Sequence, residues 1–171
     1  MRTRAIIIKK QPTNEYDELI TCYTQEFGKL TAAAKSVLKG SSVQAMHLDN
    51  LNLVDFELIN GRSFPIIAAA QAERSFVNLK SNICLLATAQ FFADVVDKMV
   101  FDLQKDEALW DFMVDVLEKL DSKVGPETAL TFLRQQQFYM LKVMGYPPET
   151  PFEHIAGQKL KSLDFIYSVL K

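Results

Sequence analysis

Alternating apolar and polar positions run through the first seventy-odd residues, and a three-to-four-residue apolar repeat replaces them after residue 76. The alternating part predicts strands over Ile6–Lys9, Leu19–Thr24, Leu30–Ala34, Leu51–Ile59 and Phe64–Ala72. Turn-forming stretches separate them: Gln11-Pro12-Thr13-Asn14, Gly28, Lys39-Gly40-Ser41-Ser42 and Asn60-Gly61. Asn-Gly suits a type I′ hairpin turn, in which both central residues take positive φ, so a tight turn is predicted there. Five strands in so short a stretch fit a small barrel, and the OB-fold is the commonest five-stranded candidate.

The second part opens with Asn82 to Leu103, apolar nearly all round, which is the pattern of a buried helix. Glu107 to Leu120 is amphipathic, with Leu109, Phe112, Met113, Val116, Leu117 and Leu120 opposite Glu107, Asp111, Asp115 and Glu118. Gly125-Pro126 predicts the start of a third helix. Its inner face is Leu130, Leu133, Phe138, Leu141 and Met144, and Gly145 before Tyr146-Pro147-Pro148 stops it. A last helix spans Leu160 to Leu170. The chain is therefore expected to be α+β: an N-terminal five-stranded OB-fold-like β-barrel over 1–76, followed by a C-terminal α-helical bundle domain over 77–171.

Charge changes this picture only through its distribution. The net charge of −2 does not announce nucleic acid, but Lys and Arg outnumber Asp and Glu by 7 to 4 in residues 1–45 and fall behind by 9 to 13 in residues 81–171. A basic front could steer a polyanion to one end. The apolar run Ala5–Ile8 is too short for a signal peptide or a span, and Ile83 to Leu103 is broken by Asp94, Asp97, Lys98 and Asp102. No membrane partner is expected, and a cytoplasmic location is. Cys22 and Cys84 lie on unrelated segments without metal-ligand spacing and read as buried thiols.

Little here looks catalytic. Asp94/Asp97 and Asp111/Asp115 share helix faces, yet no third ligand or general base accompanies either pair. His47 and His154 have no partners in sequence, and neither a P-loop nor a Ser/His/Asp order occurs. No catalytic residue, metal or cofactor is expected. The basic residues of the barrel region are Arg2, Arg4, Lys9, Lys10, Lys29, Lys35, Lys39 and Arg62; on their own they read as an ordinary solvated surface, and they would be the cations if a phosphate backbone were bound. Strand alternation forbids Lys9 and Lys10 one groove unless a bulge or strand end intervenes. Among the aromatics, Phe27, beside a turn glycine and a lysine, is the one expected to be exposed for stacking. Of the others, Tyr16, Tyr23, Phe56 and Phe64, most are expected in the core.

Three motifs in order carry a resemblance. Glu15-Tyr16-Asp17-Glu18-Leu19-Ile20 leading to Tyr23-Thr24-Gln25-Glu26-Phe27-Gly28-Lys29, then Ala34-Lys35, resembles the opening domain of the RecO recombination and repair mediators. Phe138 to Tyr146 is similar to that family's helix end in Gly-Tyr, and Gly157-Gln158-Lys159-Leu160-Lys161-Ser162 to its C-terminal Gly-x-x-Leu-Lys-Ser. The resemblance implies a non-enzymatic mediator that binds single- and double-stranded DNA in gap repair and strand annealing. It also implies recombinase loading with a RecR-type partner, indirect action on a RecA-type recombinase, and binding of the tail of single-strand-binding protein by the helical domain. Arg134 and Lys142, eight residues apart on one helix, are the cations placed there. There are departures: Ser36 replaces the family's usual glycine after Ala-Lys. The segment Pro147–Ala156 carries none of the four cysteines with which many members bind zinc, so a zinc site is excluded and the chain reads as a short member. An adaptor of the same fold that has lost DNA binding is the alternative.

Overall fold

A computed structural model describes residues 1–170. It divides into two compact units, Met1–Ser75 with Phe101–Asp106, and Phe76–Val100 with residues 107–170. The first is a closed five-stranded barrel of β1 (Arg2–Pro12), β2 (Glu18–Thr24), β3 (Gly28–Ala34), β4 (Leu53–Ile59) and β5 (Ile66–Arg74), in the order β1-β2-β3-β5-β4. The fold is an OB-fold-like barrel followed in sequence by helices, as the residue pattern predicts.

Burial follows the strand period of two. Ala5 and Ile7, Ile20 and Cys22, Leu30, Ala32 and Ala34, Val54, Phe56 and Leu58, and Ile67 point into one core. β1 is longer than the predicted Ile6–Lys9 because its polar ends are also paired, Arg2–Ile6 with β4 and Ala5–Pro12 with β2, long-range partners that the local pattern does not mark. A bulge at Ile8 shifts its register, with Ile7 opposite Cys22 and Lys9 opposite Thr21.

The parallel pairing of β3 with β5 is short, with Ala33 opposite Ile66. Beyond that bridge the segment 35–52 serves β5 instead: Gln44 Nε2 donates to the Ala68 carbonyl (3.2 Å), and Ala72 N donates to His47 Nδ1 (3.3 Å). Val37, Ala45 and Leu48 from this segment pack into the barrel core. Backbone groups of a sheet edge need partners, and here side chains supply them.

Asn60-Gly61 does not form the predicted two-residue turn. The connection runs from 60 to 65, and neither residue has positive φ. Gly61 is needed for another reason: a Cβ there would lie 2.0 Å from the Phe64 carbonyl oxygen. Pro65, with no N–H for a ladder, helps hold Phe64 out of β5.

In the second unit α1 (Val77–Ser81), α2 (Ile83–Met99), α3 (Glu107–Ser122), α4 (Ala129–Val143), α5 (Phe152–Ala156) and α6 (Lys161–Val169) follow one another. Asn82 caps α2, its Oδ1 accepting from Cys84 N and Leu85 N. Phe91 and Phe92 meet edge-to-face, Phe152 closes on Phe91 at 5.2 Å, and Phe112 on Phe92 at 5.7 Å. Asp94 accepts from Ser162 Oγ (2.6 Å), while Asp97 pairs with Lys98 and Asp115 with Lys119. No group of three metal-ligating side chains gathers among the described residues. No helix among them is long and apolar enough to cross a membrane.

Two helical expectations need correction. α2 stops at Met99 rather than Leu103, because Val100 turns extended and Phe101–Asp106 belongs to the barrel unit. α4 buries Phe132, Leu133, Gln136, Met140 and Leu141, so its inner stripe is shifted and Phe138 faces out, half exposed. Its end is as predicted: Tyr146 N reaches the Leu141 carbonyl and Gly145 N that of Lys142, a Schellman motif with Gly145 at φ 80.

Candidate nucleic-acid interface

Three connections of the barrel converge on the end of β3. Glu18 at the start of β2 pairs with Ala34, bringing up the turn 13–17; Leu38 N donates to the Tyr16 carbonyl, tying the segment 35–46 to that turn; Ala33 N donates to the Pro65 carbonyl (2.7 Å), bringing up the loop 60–65. In OB-folds the faces of the second and third strands, with the loops between strands one and two and between four and five, hold oligonucleotides. Here that strand face shows half-buried Leu19, Thr21, Thr31 and Ala33, with Thr21 and Thr31 hydroxyls 3.3 Å apart.

The cations fall into three groups. Lys35, Lys39 and Arg62, all exposed, lie on the converging loops, and exposed Lys9 stands on the outward face of β1 opposite Thr21. Lys10 is opposite Ile20 on the other phase and pairs with the buried Glu18 at 3.6 Å, so the two lysines alternate as strand geometry requires. A second group lies toward the start of β1. Arg2 Nη2 meets Asp55 at 2.7 Å and Arg4 Nη2 meets Glu73 at 2.8 Å, each with Nε joining in a two-pronged pair. The Arg2 guanidinium holds the Asp55 carboxyl below its ordinary range. Lys29 stands by itself at the β2–β3 turn, where its side chain, 12% exposed, pairs with Asp102 at 3.4 Å. Lys35, Lys39 and Arg62 thus lie on the converging loops with Lys9 on the adjoining strand face, while Arg2, Arg4, Lys10, Lys29 and also Lys35 pair with carboxylates.

Asp17 organises the loop cluster. Its carboxylate accepts from Lys35 Nζ (2.8 Å), Ser36 N (2.7 Å) and Asn14 Nδ2 (3.0 Å). These donors, Lys35 first, hold its pKa far below the usual carboxylate range. Ser36 takes φ 55, the left-handed conformation for which a glycine would be the unstrained choice.

The exposed aromatics differ from those expected. Phe27 packs against the barrel core, because Thr24 Oγ accepts from Phe27 N and donates to the Gly28 carbonyl, closing the turn inward. Tyr23 and Phe56 are buried as expected, with the Tyr23 hydroxyl pushed up to about 12 chiefly by burial. Tyr16 and Phe64 are 43% and 42% exposed on two of the converging loops. A signal for Tyr16 stands in the chain: Asn14 Oδ1 accepts from Tyr16 N and Asp17 N, an Asx turn that an Asn two residues upstream foreshadows.

In the helical unit Arg134 rims a groove of about 430 Å³ with Phe138, Leu141, Pro148, Pro151 and Tyr167. Glu149 and Glu153 also line it. Lys142 is exposed but outside that lining, since eight residues carry a helical position most of a quarter-turn round.

Comparison with known proteins bears on both units. Residues 1–76 match the family model described as Recombination protein O N terminal, and residues 81–170 the one described as Recombination protein O C terminal. A DNA repair protein RecO of Dehalococcoides mccartyi is 28% identical over 148 residues, covering 86% of this chain and 57% of the relative. Those of Caldanaerobacter subterraneus and Synechocystis are 23% and 25% identical, covering 93% and 91% of this chain and 64% and 56% of theirs. The chain thus spans a little over half the length of these curated relatives.

Proposed function

Because the chain belongs to the Recombination protein O family, we propose that it is a non-enzymatic, DNA-binding recombination mediator of DNA repair whose barrel holds DNA at the loop end beside β3. The observation that carries this reading is the convergence of Lys9, Lys35, Lys39 and Arg62 around the strand face and loops that OB-folds use for oligonucleotides. Phosphate contacts position a strand without reading its sequence, which suits a protein acting on single-strand gaps and in annealing. The relatives' shared name, DNA repair protein RecO, supports the same role. On this reading the helical groove beside Arg134 takes the acidic-aromatic tail of single-strand-binding protein, and a RecR-type partner assists recombinase loading in the cytoplasm. Arg2 and Arg4 contribute less, since each spends both prongs of its fork on a carboxylate away from the converging loops, whereas the single ion pair of Lys35, to Asp17, lies within them.

Charge removal separates the groups. Replacing Lys9, Lys35, Lys39 and Arg62 together with Gln should weaken oligonucleotide binding at least tenfold at low salt. Replacing Arg2 and Arg4 should change it by less than threefold. Equal loss from both sets would place the DNA elsewhere on the barrel. The adaptor reading is favoured by the number of cations already paired with carboxylates, and an unaltered protein that binds no oligonucleotide would establish it over the first.

A further inference from the structure

The Lys39 ammonium sits 5.3 Å from the centroid of the Tyr16 ring. Both residues are exposed, and they belong to the two connections that a backbone hydrogen bond, Leu38 N to the Tyr16 carbonyl, fastens together. The ring does not contribute to the barrel's core cluster. Its backbone is held independently of its side chain, through Asn14 and Leu38. An exposed aromatic ring on a backbone held in place, at the margin of a basic loop and with the ammonium of an exposed lysine beside it, has the properties of a stacking platform.

We propose that Tyr16 and Lys39 form an exchangeable clamp for one nucleotide of a single strand. The ammonium leaves the ring for a phosphate, and an unpaired base takes its place on the ring. This rests on the DNA-binding reading above and adds to it which form of DNA the loop end prefers. Magnitudes favour the exchange. An exposed cation–π contact is worth about a two- to fivefold factor in an equilibrium, whereas base–aromatic stacking is worth about five- to hundredfold. Lys39 also loses nothing overall, because the phosphate replaces the ring as its partner. Duplex bases are stacked on one another and cannot supply a free face, so the clamp discriminates by strandedness and not by sequence.

The test measures dissociation constants of the full chain for an oligothymidylate of about 20 nucleotides, longer than an OB-fold site, for the same length with abasic positions, and for a duplex. Tyr16→Leu should weaken oligothymidylate binding about tenfold, with the salt slope unchanged. It should leave abasic and duplex binding within twofold. Tyr16→Phe, which keeps the ring, should restore wild-type affinity. Lys39→Gln should make the salt slope shallower by about 0.7 on both single strands. Tyr16→Gln takes the place of the leucine variant if that one does not fold. Wild-type binding that Tyr16→Leu leaves unchanged, or loses equally on all three probes, overturns the clamp while leaving the DNA-binding reading in place. A wild-type chain that binds none of the probes overturns both.

Discussion

Ser36 holds φ 55 between Lys35 and the buried Val37, and its N–H is fixed on Asp17 at 2.7 Å. A side chain there costs about 1–2 kcal/mol relative to the right-handed region, and glycine gives back about 0.5–1 through unfolded-state freedom. Ser36→Gly should therefore raise stability by about 0.5–1 kcal/mol in denaturant unfolding, with oligonucleotide affinity unchanged. The same junction has an acid limb. The folded pKa of Asp17 is depressed, so its contribution is complete above the ordinary aspartate range near 4 and disappears as the pH falls below it toward the folded value. Asp17→Asn should flatten the loss of stability with acidification over that window, which unfolding curves taken from neutral pH downward would reveal. Much of this was legible. Lys35 and Lys39 stand out beside Gly40-Ser41-Ser42, and the departure at Ser36 marks the strained position. Which aromatic would be exposed was not, because Phe27 and Tyr16 both neighbour turns. The difference lies in where hydroxyl and amide side chains, Thr24 and Asn14, direct the backbone.

At the scale of elements, the segment Phe101–Asp106 shows why a periodic pattern can mislead. Val100, Phe101 and Leu103 continue the apolar run of α2, yet Leu103 takes φ 58, its N–H bonds the Lys29 carbonyl, and Asp102 bridges to Lys29. Nothing local announces a partner so far back in the chain. Gly28 is the element's key permission. It has φ +71, and a Cβ on it would lie 2.1 Å from the Gln104 carbonyl oxygen. Gly28→Ala should cost about 2–3 kcal/mol and raise amide exchange in 101–106 ahead of the barrel core. Turn length failed at Asn60-Gly61 for a related reason. The dipeptide announces a turn, while Pro65 and the close packing of Gly61 on Phe64 set its size. Core phase was clearer where both neighbours are large. Phe92→Ala should cost about 3–5 kcal/mol, seen as a lower denaturation midpoint, because Phe91 and Phe112 both lose a ring partner.

For the whole molecule, the order of five strands and then helices was readable from the change of period near residue 76, since alternation and helical repeat rest on backbone geometry alone. The candidate site was only half readable, because ion pairing is long-range. Arg4 meets Glu73, and Arg2 meets Asp55, through strand register that no local pattern encodes. Net charge is near neutral, so any attraction for DNA must come from the local array and should be screened steeply by salt. The most direct test is therefore anisotropy of a fluorescent single-stranded oligonucleotide titrated with the protein across a salt series. Micromolar or tighter binding at low salt is expected. The logarithm of the binding constant should then fall with the logarithm of salt concentration at a slope near −3, about 0.7 for each of the four converging cations. No binding at low salt, or an affinity that salt does not change, would contradict the account.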